Sequence, residues 1–168
     1  AADVIVIPLS CSCSIQPYSP AAGTGLSSHE LNQPGCYRDV KDTTCTAQFK
    51  VIGEDNLYFL AWTTTPWTLP SNTALCVGPN ITYVKVKSSN PYTGAPATYI
   101  VAKDLVGKLF SEKIPFEVLP GEMKGSELVG MRYEQLIPWF RPDEGAFRVI
   151  LGDYVSTEEG TGIVHIAT

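Results

Sequence analysis

A run of strand-forming residues without a breaker sets the strongest constraint on the fold. Residues 58–65 are aromatic, aliphatic or β-branched, and the run stops at Pro66. Such a run is typical of a buried strand. Proline has no N–H to donate to a neighbouring strand, and it favours extended geometry in the residue before it. The run therefore predicts a strand whose carboxyl end presents Thr63, Thr64 and Thr65 at a turn.

The residues around this turn predict a neutral, hydrogen-bonding surface. Successive side chains of a strand point to opposite faces, so the hydroxyls are presented in alternating directions. The indoles of Trp62 and Trp67 and the amide of Asn72 lie nearby, and residues 58–72 contain no charged side chain. This composition suits a pocket wall. The alternative interpretation, which composition alone favours, is a threonine-rich strand whose hydroxyls pair across a sheet before a proline-rich turn.

Short strands separated by frequent turns are predicted along the rest of the chain. With 13 prolines, 14 glycines and a charged fraction of 17%, the 168 residues fit one β-rich, loop-rich domain. Two hairpins are predicted, in which residues 48–52 pair with 57–65 and residues 82–87 pair with 98–101. Further strands are predicted at residues 74–77, 116–119, 131–133, 147–151 and 163–166.

Two short helices complete the predicted elements. Apolar residues at helical spacing predict a helix at 103–111, and Ser27 with Glu30 forms a capping box for a second one. Pro120-Gly121 is expected to end the strand before it. Many short strands with few helices predict a mainly β fold, with a closed or nearly closed β-barrel core and a few short peripheral helices.

The two ends of the chain differ in what they predict. Residues 15–168 are expected to form the domain, whereas residues 1–14 form a segment outside the core that need not be native. The apolar residues 4–7 lack the basic start of a signal peptide. No apolar run approaches the ~20 residues that span a membrane. We therefore expect no membrane contact and a cytoplasmic location.

Charge and cysteine usage exclude several classes of function. The chain has 12 basic and 17 acidic residues and a net charge of −5, which argues against a free-standing nucleic-acid binder. The five cysteines form no Cys-x-x-Cys pair and have no histidine at ligand spacing. Reduced thiols are therefore expected, with no metal and no cofactor. The cysteines are Cys11, Cys13, Cys36, Cys45 and Cys76.

A second group of notable residues lies near the end of the chain. Gly160-Thr161-Gly162 allows a close backbone approach, and residues 163–166 follow as a strand that carries His165 opposite its apolar neighbours. A single histidine on an apolar strand is more often structural than catalytic, but the turn before it favours a site. No serine or cysteine stands in a nucleophile-elbow context, so a covalent triad is poorly supported.

Together the two groups resemble a known family. Residues 62–72, followed about ninety residues later by residues 160–167, are similar to the editing domain inserted in isoleucyl-tRNA synthetase. The resemblance continues in residues 18–42 and covers roughly residues 15–167. Sister domains of the leucyl and valyl enzymes follow their threonines with Arg-Pro, whereas here Pro66-Trp67 follows, which is the isoleucyl pattern.

The resemblance implies a β-barrel-centred domain that hydrolyses valyl-tRNA(Ile), in which valine is wrongly attached to the tRNA for isoleucine. Valyl-adenylate is a further candidate substrate. One missing methylene changes binding by only ~1–3 kcal/mol, so a second, smaller pocket has to remove the wrong product. The implied partners are the valine-carrying 3′ end of tRNA(Ile) and the remainder of the synthetase. No cofactor is implied.

The resemblance also implies residue roles. Thr63, Thr64 and Thr65 would hold the ester carbonyl, the attacking water and the terminal ribose without a covalent intermediate. His165 would line the pocket and exclude the larger isoleucyl side chain, a positional role that we rank above that of general base. The remaining carried-over substrate-binding residues are Trp67, Thr68, Asn72 and Gly162.

One departure from the family pattern leads to a separate expectation. The family continues after the histidine strand with Ala-Pro and then an aspartate that pairs with the substrate ammonium, whereas this chain ends at Thr168. A charge-assisted contact contributes ~1.5–3 kcal/mol, so we expect this chain to be less active than the domain within its parent enzyme. The alternatives are a non-catalytic β-barrel module that binds a tRNA 3′ end or a small amino-acid ligand, and an unrelated interaction domain.

Overall fold

The chain divides into two compact units, Ala1–Lys41 and Asp42–Thr168. The computed structural model describes residues 3–4, 16–110, 115–139 and 144–168. Most of the segment 1–14, including Cys11 and Cys13, lies outside the described residues, so the predicted boundary after residue 14 stays a prediction.

The first unit contains a small antiparallel sheet and one short helix. Its sheet has the order β1 (Asp3–Val4), β2 (Pro17–Ser19) and β3 (Thr24–Gly25), and helix α1 covers Ser28–Leu31. Ser27 caps this helix: its Oγ accepts a hydrogen bond from Glu30 N at 3.3 Å, and its N–H donates to Glu30 Oε2 at 2.7 Å. The predicted capping box is confirmed.

The second unit contains two sheets. In chain order its elements are β4 (Cys45–Lys50), β5 (Leu57–Thr63), a 3-10 helix (Pro66–Ser71), β6 (Asn72–Val77), β7 (Thr82–Ser89), β8 (Pro96–Ala102), a 3-10 turn (Lys103–Leu105), α2 (Val106–Leu109), β9 (Glu117–Lys124), α3 (Gly125–Leu128), β10 (Arg148–Leu151) and β11 (Ile163–Ala167). Five strands form one sheet in the order β4-β5-β8-β7-β9, and three form the other in the order β10-β6-β11.

Both predicted hairpins are confirmed, and the other pairings of the second unit join strands that are far apart in sequence. β4 pairs antiparallel with β5, and β7 with β8. β5 and β8 join the two hairpins as a parallel pair. In the smaller sheet, central β6 runs parallel to β10 and antiparallel to β11, with His165 opposite Leu75.

The mainly β prediction is confirmed, but closure of the barrel is not. Neither sheet closes on itself within the described ranges. Residues 131–133, predicted as a strand, make only isolated bridges, Val51 with Tyr133 and Arg132 with Arg148. The strand expected to end at Pro120-Gly121 continues as β9, but its pairing with β7 is irregular there, because Glu122 pairs with Val84 and Val118 with Val86 while residues 119–121 are unpaired. β9 is an edge strand, where a missing N–H leaves no neighbour unpaired.

β5 is buried on both faces, which explains why its sequence shows a continuous apolar run rather than alternation. One face, with Leu57, Phe59 and Ala61, belongs to the main core and is at most 4% exposed. The other face places Leu60 in a second apolar cluster. Thr63 continues the main-core face and is 7% exposed. Within the described part of the chain, no helix has the length and apolar character needed to cross a membrane.

Candidate functional site

The threonines build the turn that ends β5. The strand stops at Thr63, two residues earlier than predicted, because Thr65 N donates to Thr63 Oγ1 at 3.0 Å rather than to a neighbouring strand. Pro66 opens the 3-10 helix, where its missing N–H costs nothing. Thr65 O accepts from both the N–H of Thr68 (3.0 Å) and its hydroxyl (2.7 Å).

A chain of side-chain contacts leads from this turn to the histidine strand. Thr63 Oγ1 lies 3.2 Å from Thr65 Oγ1, which lies 3.3 Å from Thr68 Oγ1. Thr68 Oγ1 is 3.0 Å from His165 Nε2. The structure therefore brings together Thr63, Thr65, Thr68 and His165, which we call the hydroxyl–imidazole chain.

The hydrogen bonds of Thr68 fix the tautomer of His165. A hydroxyl has one hydrogen, and a carbonyl oxygen can only accept, so Thr68 donates to Thr65 O. The oxygen of Thr68 must then accept from His165 Nε2, which carries the ring hydrogen. Nδ1 is buried and has no partner among the described residues. Since one ring nitrogen is engaged and the other is enclosed, this arrangement favours a positional role over a general base.

Burial also affects the charge of the imidazole. Desolvation lowers the pKa of His165 from its ordinary value of 6.5. The ring is therefore neutral near pH 7, which agrees with the tautomer above. No group of three or more His, Cys, Asp or Glu side chains able to hold a metal ion occurs in the described ranges.

Acidification is expected to destabilise the fold through His165. Because the pKa is lowered in the folded state, the unfolded chain binds the proton more readily. The stability contribution of the neutral ring is complete above pH 6.5 and is lost as the pH falls through the folded-state pKa. Melting temperatures measured between pH 7.5 and 5 should fall, and His165→Gln should reduce this slope.

The remaining predicted site residues lie around the hydroxyl–imidazole chain in different environments. Thr64 is exposed, which confirms the alternating directions of the threonines. Trp67 is 69% exposed on the 3-10 helix, whereas Asn72 is only 2% exposed. Gly162 lies on the turn before β11. Their roles as substrate contacts stay predictions.

Both polar atoms of the Asn72 side chain form hydrogen bonds within the protein. Its Nδ2 donates to Ala74 O at 3.0 Å and to Ile166 O at 3.3 Å, and its Oδ1 accepts from the Tyr133 hydroxyl at 2.7 Å. The bond to Ile166 holds β11 one residue beyond His165. Asn72 therefore positions the histidine strand against the 3-10 helix.

Tyr133 is the residue that sequence reasoning missed. It is 1% exposed, and burial raises the pKa of its hydroxyl. Its ring packs edge-on against Phe49, with centroids 5.2 Å apart. Residues 131–133 were singled out only as a strand, and nothing local in the sequence indicates that Tyr133 reaches Asn72, 61 residues away.

Tyr133→Phe is expected to weaken both stability and the site. The change leaves the buried Oδ1 of Asn72 without its donor, which costs about 1–3 kcal/mol in unfolding free energy. Denaturant unfolding measures the loss. Tyr37→Phe, at a tyrosine that is 75% exposed, should change stability by less than about 0.5 kcal/mol. Equal stability of the two variants would contradict the structural role of the Tyr133 hydroxyl.

The Gly-Thr-Gly turn places β11 by close packing. Gly162 has φ +74°, and a Cβ on it would lie 2.4 Å from the Cβ of Ala102. Its carbonyl accepts from the buried Tyr83 hydroxyl at 2.6 Å, and Thr161 O accepts from Ala102 N at 3.0 Å. The predicted close approach is therefore to the protein itself. A cleft of about 260 Å³ lies beside this turn and is lined by residues that include Trp62 and Val164.

The fold matches solved editing domains of leucyl-tRNA synthetases. The crystal structure of GlLeuRS-CP1 superposes with a TM-score of 0.55 over 73% of this chain and 54% of that chain, at 20% identity. The editing domain of the cytosolic leucyl-tRNA synthetase of P. knowlesi gives 0.54 over 73% of this chain and 56% of that chain, at 16% identity. The chain thus has the fold of the editing domains inserted in class I aminoacyl-tRNA synthetases.

Sequence relatives define the family more narrowly. The chain is 64% identical to the isoleucine–tRNA ligase of Bacteroides fragilis over 92% of its own length and 15% of the ligase. It is 60% identical to that of Porphyromonas gingivalis, with coverages of 92% and 16%. It belongs to the isoleucine–tRNA ligase family and spans about 15% of the length of these relatives. No protein-family model matches the chain.

Proposed function

We propose that this chain hydrolyses the ester bond between valine and tRNA(Ile), as the editing segment of an isoleucine–tRNA ligase. The hydroxyl–imidazole chain is the observation that carries the proposal, because it joins the two groups of residues on which the sequence resemblance rests. The partners are the valine-carrying 3′ end of tRNA(Ile) and the remainder of the ligase. Valyl-adenylate is a second candidate substrate.

The proposed reaction uses a positioned water rather than a covalent intermediate. An aminoacyl ester is already activated, so orientation of the water and stabilisation of the oxyanion are sufficient. Thr63 ends β5, Thr65 lies in the turn that follows, and Thr64 is exposed between them. His165 limits the space for the amino-acid side chain. The step needs no cofactor in this domain.

Thr65→Val tests this function. Valine keeps the shape of threonine but removes the hydroxyl at the centre of the hydroxyl–imidazole chain. Because loss of one aligned hydrogen-bond donor costs on the order of 10²-fold in rate, we expect hydrolysis to slow by about that factor. Release of free valine from valyl-tRNA(Ile) under single-turnover conditions measures it. Thr98→Val is the matched control, because Thr98 is half-buried and pairs with Leu57 at the far end of β5. Equal loss in both variants would contradict the proposal.

A binding module without turnover is the second candidate. It is favoured by the engagement of His165 Nε2 by Thr68 and the enclosure of Nδ1, which leave no free ring base. The two candidates differ in one measurement. Wild-type chain that binds valyl-tRNA(Ile) without releasing valine above the spontaneous rate would establish the second.

A further inference from the structure

Phe147 has a backbone conformation that few bulky residues adopt. Its φ is +60°, in the left-handed region. Among the described residues, one other non-glycine residue, Asn56, has a positive φ, and asparagine tolerates that region because its short polar side chain bonds locally. A phenylalanine persists there only where its surroundings hold it, and such strained residues cluster at functional sites. The contacts that hold Phe147 therefore indicate what its conformation serves.

The left-handed geometry is not a property of the local sequence. The run 147–151 predicts an extended strand that begins with Phe147, whereas β10 begins one residue later, at Arg148. Gly145 also has a positive φ, +94°, but a glycine adopts it without strain. Tertiary contacts must therefore impose the conformation of Phe147.

Two backbone hydrogen bonds hold Phe147 in place. Its N–H donates to Thr73 O at 2.7 Å, and its carbonyl accepts from Tyr133 N at 3.1 Å. Thr73 follows Asn72 in the chain, and the Tyr133 hydroxyl donates to Asn72 Oδ1 at 2.7 Å. These bonds form a closed set that links Phe147 to both partners of one buried amide. We call Asn72, Thr73, Tyr133 and Phe147 the Asn72 network.

The side chain of Phe147 belongs to the same network. Its ring packs edge-on against that of Tyr133, with centroids 6.0 Å apart and an angle of 71° between the planes. Phe49 packs against the same tyrosine at 5.2 Å and 77°. Edge-to-face contacts of this kind are favourable beyond the apolar area that they bury. Two aromatic contacts therefore fix the ring whose hydroxyl binds Asn72.

The Asn72 network holds the histidine strand where its regular pairing ends. The register of β11 against β6 shifts directly after Ile166, the neighbour of His165. Side-chain donors act at this point: Ile166 O accepts from Asn72 Nδ2 at 3.3 Å and from Thr73 Oγ1 at 3.4 Å. Both donors belong to the network. The position of His165 therefore depends on the network, and through it on Phe147.

We propose that Phe147 is a positioning residue for the proposed hydrolysis, whose left-handed backbone fixes His165 and thereby sets the discrimination between valine and isoleucine. The inference rests on the proposed function, in which His165 limits the space for the amino-acid side chain. Phe147 acts through the network and needs no contact with substrate. An ordinary negative φ would rotate its N–H relative to its carbonyl, so the bonds to Thr73 and Tyr133 could not both be kept.

Alanine and glycine at position 147 test the inference, because they differ in backbone preference. Both remove the aromatic ring, but glycine adopts positive φ freely and alanine does not. In the 168-residue chain, Phe147→Ala should lower the ratio of kcat/KM for valyl- and isoleucyl-tRNA(Ile) by about threefold or more, a part of the ~10- to 200-fold that a fitted pocket supplies. Phe147→Gly should restore most of this ratio. A residue that only filled volume would give the opposite order, since glycine removes more of the side chain.

Phe110 provides the matched control. It is also half-buried, but it has an ordinary φ of −109° and packs against the second apolar cluster. Phe110→Ala and Phe110→Gly should lower stability without changing the ratio, and the glycine variant should be the less stable of the two. Unfolding alone cannot change the ratio, because it reduces both rates equally. A ratio that falls as far in Phe110→Ala as in Phe147→Ala would overturn the inference.

Nitrogen NMR of the imidazoles separates this inference from the proposed function. The sequence has two histidines, so the signals of His165 are distinguished from those of the exposed His29. Wild-type His165 should carry its hydrogen on Nε2, Phe147→Ala should shift the signals towards a mixture of both tautomers, and Phe147→Gly should resemble wild type. This measurement needs no turnover.

The outcomes of the two measurements are distinct. A wild-type chain that releases no valine would reject the proposed function, while the imidazole signals would still test whether Phe147 fixes His165. Signals and a ratio that are unchanged in Phe147→Ala would overturn the inference. So would a Phe147→Gly variant that is no closer to wild type than Phe147→Ala.

Discussion

His165→Ala is expected to release isoleucine from correctly charged isoleucyl-tRNA(Ile). The imidazole is fixed against Thr68 by a 3.0 Å hydrogen bond and cannot withdraw to make room for a larger side chain. Removing the ring opens space for the extra methylene, whose exclusion from a fitted pocket is worth ~10- to 200-fold. The ratio of kcat/KM for valyl- and isoleucyl-tRNA should therefore fall by about tenfold or more, and the rate for valyl-tRNA should change less than the ratio.

Two controls separate the volume of His165 from its chemistry. His165→Phe keeps a ring of similar size but removes the Nε2 donor, so discrimination should be retained. His29→Ala changes the only other histidine of the sequence, an exposed residue of α1, and should have no effect. Unaltered discrimination in His165→Ala would show that another residue sets the size limit.

Gly162→Ala is expected to produce the largest loss of stability among single substitutions near the site. The new Cβ would lie 2.4 Å from the Cβ of Ala102, and the backbone at φ +74° disfavours any side chain. Overpacking costs about 1–3 kcal/mol and the left-handed backbone about 1–2 kcal/mol. A total near 3 kcal/mol is a large part of the roughly 5–15 kcal/mol that stabilises a typical domain.

Chemical denaturation of a variant at a matched glycine separates the cost of close packing from the cost of the left-handed backbone. Gly130 has φ +82° but open space around its Cβ position, so Gly130→Ala should cost only the backbone part. Adding Ala102→Gly to Gly162→Ala should recover part of the packing cost, which a double-mutant cycle measures. If Gly162→Ala and Gly130→Ala lose equal stability, close packing against Ala102 is not what requires Gly162.

Local sequence signals predicted the elements that carry the site. β5 ended within two residues of the predicted position, and the capping box at Ser27 formed as expected. Thr63 is buried and Thr64 is exposed, as predicted for side chains that point in alternating directions, although Thr64 already lies in the turn after β5. These features depend on neighbours within a few residues, so the sequence contains the necessary information.

Features that depend on distant partners could not be predicted in this way. The hydrogen bonds of Asn72 to Tyr133 and Ile166 appear only after strands far apart in sequence have paired, and its predicted contact with substrate stays a prediction. The parallel pairing of β5 with β8 and the division into two sheets are also long-range choices. β9 continues past Pro120-Gly121 through an irregularity in its pairing with β7, at an edge of the sheet, and sequence alone does not show which strand lies at an edge.

The 97-residue separation between Thr68 and His165 affects when the site forms during folding. Ordering so long an intervening chain is slow, because its entropy is lost before the distant contacts can compensate for it. We therefore expect the two side chains to meet late, after the strands that hold them have assembled. Recovery of the proposed ester hydrolysis during refolding should lag behind the early gain of β-structure, so this activity would report on the completed fold.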